Sequence, residues 1–541
     1  MKDWLVKSLA LSNKEPISDR ALRWLWLGVL VLVGFLLVAF IIQIFKDIGQ
    51  PYSYDYGEAW NIWVGENSPS GIYFQIGEPT YVQTPYTPIF YLVTGVLYKV
   101  FGPSFLVGRL VSLFAGIGSG IFCGLIVKEV TKSKWFGLLG GCLFLVPPIN
   151  RAWPLFIHVD CLGMFFSLMG TYIVVKYLNT RKMLWAVIPY LLALFTKQIF
   201  ITAPLAVIIY LLLTKKWKLN AQFIGLMTVG GVALIGLFQW LSGGLFVEAI
   251  FFFPTVYHRI FWIAIYLNSV NIIGQWLILL LALCAVLITF MRRKELPNPV
   301  KFIAVYFVVT SVVSFILSAK IGAWMSYFME QMTVAILLVP IFAWEASKLK
   351  ISRKLPRTGI IWREKSWSTE LKASTLLAFI IPLALILQVS ILPSFSSWTN
   401  VTQDSKDSFA VALEDLKSVP LDSPVICEDA GLLRDSGRLP PLVEPNFFSQ
   451  SIRYGKLDPT RIYGMIERRE FALIIQEWDV NGYWNWEYET RGMPKWVPAE
   501  VRKVYTMAWL RSTEEEAILI RDNYQLKHKT TRFWIYEPKT S

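Results

Sequence analysis

The sequence predicts a mainly α-helical, polytopic membrane protein of about eleven spans, followed by a small extracytoplasmic α/β domain. Three observations carry that expectation. Of 541 residues, 55% are hydrophobic and only 17% charged, with a mean hydropathy of +0.48, which is far too apolar for a soluble enzyme of this length. The apolar residues form runs long enough to cross a bilayer, and the basic residues cluster in the connections between alternate runs. From about residue 393 the chain turns polar and mixed in charge.

In chain order, spans are expected near 22–45, 105–127, 135–149, 160–178, 183–196, 199–214, 220–241, 272–291, 301–319, 325–345 and 373–392. The first run is too long and too aromatic for a cleavable signal core, so it reads as a retained span with a cytoplasmic N terminus. With that start, every connection placed in the cytoplasm is basic. These carry Lys128, Lys132 and Lys134; Lys176, Arg181 and Lys182; Lys215, Lys216 and Lys218; Arg292, Arg293 and Lys294; and a long connection from Lys348 to Lys372. The net charge of +14 is therefore spread over membrane-flanking clusters rather than one patch, which argues against nucleic acid as a partner.

One apolar segment, Ile89 to Lys99 after Pro85-Tyr86-Thr87-Pro88, is not counted as a span, because crossing there would place Lys128 to Lys134 outside. It reads as an amphipathic or re-entrant juxtamembrane helix within an outer loop of about 46–104. Residues 1–392 then form a transmembrane domain and 393–541 an outer α/β domain. In the outer domain a helical stretch, Ser408 to Leu416, precedes strand-like runs at 424–427, 471–475 and 533–536. Five cysteines show no CxxC spacing and support neither a metal site nor a disulfide framework.

This topology gathers rare polar groups on the outer face. Asp55 and Glu58 follow the first span and, at i and i+3, share one face of a short helix. Arg151, His158 and Asp160 fall between the third and fourth spans, and Lys197 sits in a hairpin with almost no loop. His258 and Arg259 precede the eighth span, and Lys320 precedes the tenth. Cations at a face that the positive-inside rule leaves poor in charge cost a few kcal/mol each unless partnered, and a phosphate group suits both Arg and Lys. Taken singly, each cation reads as a side chain snorkelling to the headgroups and each histidine as an interfacial one. Their coincidence with carboxylates points to a site.

Three stretches resemble the polytopic glycosyltransferases of the GT-C fold, such as the protein O-mannosyltransferases, the aminoarabinose transferases and the lipopolysaccharide-core transferases. Asp55-Tyr56-Gly57-Glu58 is similar to that superfamily's acidic motif in the first outer loop. Tyr86-Thr87-Pro88-Ile89-Phe90-Tyr91-Leu92, leading to Phe101-Gly102 and Arg109-Leu110, resembles its Pro-Pro-Leu-Tyr-Tyr run with a following Phe-Gly and Arg-Leu. Arg151 to Asp160, leading into Phe165-Phe166-Ser167-Leu168, is like its Arg, Asp and apolar helix. Two departures stand out: Gln83 to Pro88 lacks the aminoarabinose transferases' Lys before Pro-Pro, and two residues separate the acidic pair.

The resemblance implies a GT-C-like catalytic domain in a plasma or inner membrane. Its donor would be a polyprenyl-phosphate-linked sugar and its acceptor a lipid, glycan or protein. Asp55 is the expected general base of an inverting transfer, with Glu58 beside it as a second catalytic carboxylate. Lys197, Arg151 and Arg259 are the expected phosphate ligands, and Asp160, His158, His258 and Lys320 the substrate-binding residues. No cofactor is required; a divalent cation held by Asp55 with Glu58 or Asp160 fits the residue types, but no spacing demands a metal. A different class, a transporter or flippase of a lipid-linked or amphiphilic substrate, would call for charged or broken helices at mid-membrane and related halves. The notable charges here lie at one face instead.

Overall fold

The computed structural model describes residues 17–69, 86–252, 255, 258–347, 380–388, 402–438, 445–480, 494–502 and 511–540. The basic connection 348–372, most of the expected span 373–392, the domain boundary near 393 and Gln83 to Pro85 lie outside them.

Seven helical segments among the described residues are long and apolar enough to cross a membrane: Trp24–Asp47, Phe105–Thr131, Val159–Lys176, Trp217–Leu241, Phe261–Met291, Asn298–Ser318 and Met325–Glu345. Each matches an expected span, and the chain is a multi-pass membrane protein. Three other expected spans are broken. The run 135–149 is a ten-residue helix, Lys134–Leu143, halted before Pro147-Pro148, after which a five-residue helix, Pro148–Ala152, begins. The run 183–196 divides into a 3₁₀ turn, Arg181–Ala186, and an eight-residue helix, Val187–Leu194. The run 199–214 divides likewise into Gln198–Ile201 and Thr202–Leu213. At 1.5 Å per residue an eight-residue helix rises only ~12 Å, so none of these α-helical pieces crosses alone.

Helix Phe105–Thr131 is the spine of the bundle, packed along Val159–Lys176 on one side and Lys134–Leu143 on another. The second contact depends on small residues. A Cβ on Gly124 would lie 2.9 Å from the carbonyl oxygen of Gly137, so the two backbones approach as only glycine permits. The segment after Pro85-Tyr86-Thr87-Pro88 is a helix, Ile89–Phe101, burying Phe90, Tyr91, Thr94, Gly95 and Tyr98 along one stripe. That stripe packs against the short helix Tyr56–Glu66, leaving Val96, Val100 and Phe101 exposed on the opposite side.

The C-terminal α/β unit opens with helix Gln403–Ser418, whose N-cap Thr402 accepts a hydrogen bond from the Ser405 amide. Among the described residues its sheet has four strands, β1 (Val425–Cys427), β2 (Leu473–Gln476), β3 (Tyr524–Lys529) and β4 (Trp534–Pro538), in the order β1-β2-β4-β3. The β1/β2 pair is parallel and the other two are antiparallel. Strands β1 and β2 are buried throughout and read clearly as apolar runs. The edge strand β3, Tyr-Gln-Leu-Lys-His-Lys, was not expected, because a solvent-facing, lysine-bearing edge carries little apolar signal.

This unit sits on one end of the helix bundle. Arg532 donates to the Ser53 carbonyl at 3.0 Å, Arg434 donates to the Pro103 carbonyl, His258 stacks on Tyr454, and Trp262 meets Trp496. The polar groups singled out in the sequence collect at this same end.

Candidate active site

Asp55 is placed by local chemistry. It is the N-cap of helix Tyr56–Glu66, with extended backbone angles, and its Oδ1 accepts from the amides of Gly57 at 2.7 Å and Glu58 at 3.1 Å. The other oxygen, Oδ2, lies 2.9 Å from His158 Nε2. His158 is in turn the residue before helix Val159–Lys176, and its ring stacks on Trp153 at 5.2 Å between centroids. The Asp55 carboxylate remains 35% exposed, so it is held on three contacts yet open on one side. Desolvation opposes its ionisation, but the charge and hydrogen bond of His158 and the two amides outweigh it and hold the carboxyl below the usual carboxylate range. Desolvation likewise opposes protonation of His158, and Asp55, with smaller help from Asp160 and Glu58, raises the imidazole above its ordinary value.

Glu58, one turn along, has a different environment. It is completely buried, and Arg109 grips it in a fork, Nε to Oε1 at 3.0 Å and Nη2 to Oε2 at 2.8 Å. The amides of Tyr54, at 2.6 Å, and Ile157, at 3.0 Å, take the remaining acceptor directions. Arg109 spends its other donors on the carbonyls of Gln50 and Tyr52, each at 2.6 Å, and lies 4.1 Å from the Tyr54 ring centroid. The pair thus ties the end of the first span, the acidic loop, helix Phe105–Thr131 and the irregular segment before His158 into one body. Breaking such a buried pair by removing one partner costs about 3–5 kcal/mol.

A second centre begins two residues beyond His158. Asp160, in the first turn of helix Val159–Lys176, accepts from Lys197 Nζ at 2.7 Å, and both side chains are nearly sealed from solvent. Lys197 also lies 5.3 Å from the ring centroid of Tyr86 and 5.5 Å from that of Tyr327. The pairing requires the Gln198–Ile201 turn to press against the helix, where a Cβ on Gly163 would come 2.2 Å from Phe200 Cε2. Lys320 is bridged to Arg259 through the backbone. Desolvation and the charges of Lys197 and Arg259 push Lys320 down to about 8.

The sequence-derived residues therefore fall into two adjoining groups, because His158 and Asp160 flank Val159 at one helix start. Asp55, His158 and the buried Glu58 form the first; Asp160, Lys197, Lys320 and Arg259 form the second. Arg151 lies in helix Pro148–Ala152, directly before the Trp153 that backs His158. His258 is exposed and faces the C-terminal unit at Tyr454, 3.8 Å between ring centroids. The three carboxylates each have a cationic or imidazole partner, and among the described residues no group of three or more His, Cys, Asp or Glu is arranged to hold a metal ion. In the sequence Arg109 stands out only as part of the Arg109-Leu110 pair. The signal that singles it out is an arginine inside an apolar run, which must be paired to be buried there.

No family model matches the chain, and no curated protein matches it by sequence. In three dimensions it is similar to ArnT from Cupriavidus metallidurans bound to undecaprenyl phosphate, with a TM-score of 0.56 and 12% identity over 95% of this chain and 98% of that one. It is also similar to the Archaeoglobus fulgidus oligosaccharyltransferase tethered with an acceptor peptide containing the NVT sequon, with a TM-score of 0.50 and 11% identity over 96% of this chain and 74% of that one. At such low identities the likeness defines the fold. The chain has the GT-C fold of polytopic membrane glycosyltransferases.

Proposed function

We propose that this protein is an inverting membrane glycosyltransferase. It moves a sugar from a polyprenyl phosphate to an acceptor hydroxyl on the extracytoplasmic face, where the C-terminal unit also lies, with the N terminus in the cytoplasm. The observation that carries this reading is the adjacency of an immobilised, half-open carboxylate, Asp55, to a group of cations around Lys197, at the end of a GT-C bundle. The ArnT structure of the same fold holds undecaprenyl phosphate, a ligand of the chemistry these cations suit.

In the transfer, the acceptor oxygen attacks the anomeric carbon as its proton passes to Asp55. The bond from that carbon to the phosphate oxygen breaks with its electron pair, leaving polyprenyl phosphate with one more negative charge. The cap amides and His158 fix the carboxylate before the acceptor arrives, so little reorganisation is needed. Lys197, Arg259 and Lys320 act on the phosphate, whose charge grows in the transition state. Asp160 orients Lys197. Glu58, sealed beneath Arg109, supports the loop.

The test is a screen of labelled polyprenyl-phosphate sugars with purified protein in lipid, reading release of polyprenyl phosphate. Release that depends on an added acceptor supports the reading. Movement of label across the bilayer without cleavage of any donor refutes it in favour of a transporter.

A further inference from the structure

The acidic loop is gripped from two sides, and only one grip belongs to the helix bundle. Beneath it, Arg109 holds the carbonyls of Gln50 and Tyr52. Above it, the C-terminal unit supplies Arg532, from the turn between β3 and β4, whose Nη1 donates to the Ser53 carbonyl at 3.0 Å. Ser53 is buried and stands two residues before Asp55.

Arg532 is itself held rigidly. Its Nε donates to Glu477 Oε1 at 3.0 Å, its Nη2 lies 2.9 Å from the same oxygen, and Nη2 also reaches Asp429 Oδ2 at 3.3 Å. Glu477 is paired on its other oxygen with Arg511. The guanidinium lies 4.5 Å from the Phe409 ring centroid, and Phe409 packs against Tyr52, the residue before Ser53, at 5.1 Å. A Cβ on Gly431 would stand 2.9 Å from Asp429 Oδ1 and 3.3 Å from both Ser53 Oγ and Phe105 Cζ, so the carboxylate that holds Arg532 and the loop meet at this glycine. The successive carbonyls of Tyr52 and Ser53 are therefore held by two guanidinium groups, Arg109 and Arg532, anchored in different parts of the chain.

We propose that Arg532 is a positioning residue for Asp55. Through the Ser53 carbonyl, the C-terminal unit sets the loop that presents the carboxylate to His158 and to the acceptor. The unit is thus coupled to the transfer step rather than to donor binding. This rests on the transferase reading for its catalytic consequence, but the coupling itself does not.

Two readouts separate these. The chain has three histidines, so ring-labelled histidine in the full-length protein gives few enough signals for His158 to be assigned by its loss in His158→Gln. The charges acting on His158 are Asp55 first, then Asp160 and Glu58. In the parent protein His158 titrates above its ordinary value of about 6.5. In Arg532→Gln, and in Gly431→Ala, which keeps every charge and crowds both Asp429, the carboxylate that anchors Arg532, and Ser53, the His158 midpoint falls toward 6.5. Where Arg532→Gln fails to fold, Gly431→Ala decides. An unmoved midpoint in a folded variant overturns the proposal, whatever the protein's activity. With an active donor in hand, the same variants lower kcat roughly 10- to 100-fold, the scale of a displacement of about 1 Å in a reacting group, and leave KM for the lipid donor unchanged. A raised donor KM at unchanged kcat overturns the catalytic part of the proposal. Loss of donor cleavage in Asp55→Asn, with parental kcat in the Arg532 and Gly431 variants, leaves the transferase reading standing and sinks this one.

Discussion

Replacing Asp55 by Asn isolates the charge of the carboxylate from its structural duty. Asn ranks with Asp as an N-cap, so its side-chain oxygen continues to accept from the Gly57 and Glu58 amides, now at 2.7 and 3.1 Å. Helix Tyr56–Glu66 keeps its start. What disappears is the basic oxygen 2.9 Å from His158 Nε2 and the negative charge that sustains that imidazole's raised value. Because the carboxylate is 35% exposed, solvent screens its ion pair, and the loss of stability is held to about 1 kcal/mol or less. The loss in rate is much larger. A positioned general base contributes roughly 10²- to 10⁴-fold, or about 2.7 to 5.4 kcal/mol of barrier at ~1.36 kcal/mol per tenfold. The assay is release of labelled polyprenyl phosphate under saturating acceptor, with a thermal melt of the purified protein beside it. Asp55→Asn at parental stability with turnover above about a tenth of the parent would refute the assignment of Asp55 as base.

Five further outcomes follow from the same geometry. Transfer by the parent protein rises as pH climbs through the raised value of His158, since a neutral imidazole leaves Asp55 the stronger proton acceptor; in His158→Gln that inflection is absent from the kcat profile. The Asp55–His158 pair also contributes stability in a window: the Asp55 share is present above about pH 3.8 and lost as pH falls through its lowered folded value, while the His158 share is present below about pH 6.5 and lost as pH rises through its raised folded value. Lys197→Ala raises KM for the lipid donor about tenfold or more, the scale of one charged hydrogen bond to phosphate, and an unchanged donor dependence removes Lys197 from the phosphate site. Arg109→Met, which strands buried Glu58, destabilises by about 3–5 kcal/mol, and the double variant with Glu58→Leu recovers most of it; a melting temperature unmoved by Arg109→Met contradicts the role given to the pair. Gly163→Val forces Phe200 outward, opens the Lys197–Asp160 contact, and phenocopies Lys197→Ala in donor KM.

Membrane insertion, the basic connections and the order of the seven long helices were legible from composition and charge, because the bilayer imposes length and polarity on each span separately. The short helix after the first span was legible as well, from Asp55 and Glu58 at i and i+3, but the cap that Asp55 makes on Tyr56–Glu66 was not part of that reading. The broken spans were not legible from hydropathy: 183–196 is as apolar as a true span, yet its α-helix starts only at Val187, two residues before Pro189, whose ring and missing N–H disfavour an α-helix continuing from the preceding turn. The partners of the charges were not legible either. Glu58 reads in the sequence as Asp55's companion at i+3, yet its carboxylate belongs to Arg109, 51 residues on. Likewise His158, 103 residues from Asp55, and Arg532, 479 from Ser53, reach the loop only once the bundle and the sheet have formed. A buried charge must find its partner wherever packing brings one. The sequence by itself therefore determined which charges this face carries, and the tertiary structure decided which are spent holding the loop and which remain open for chemistry.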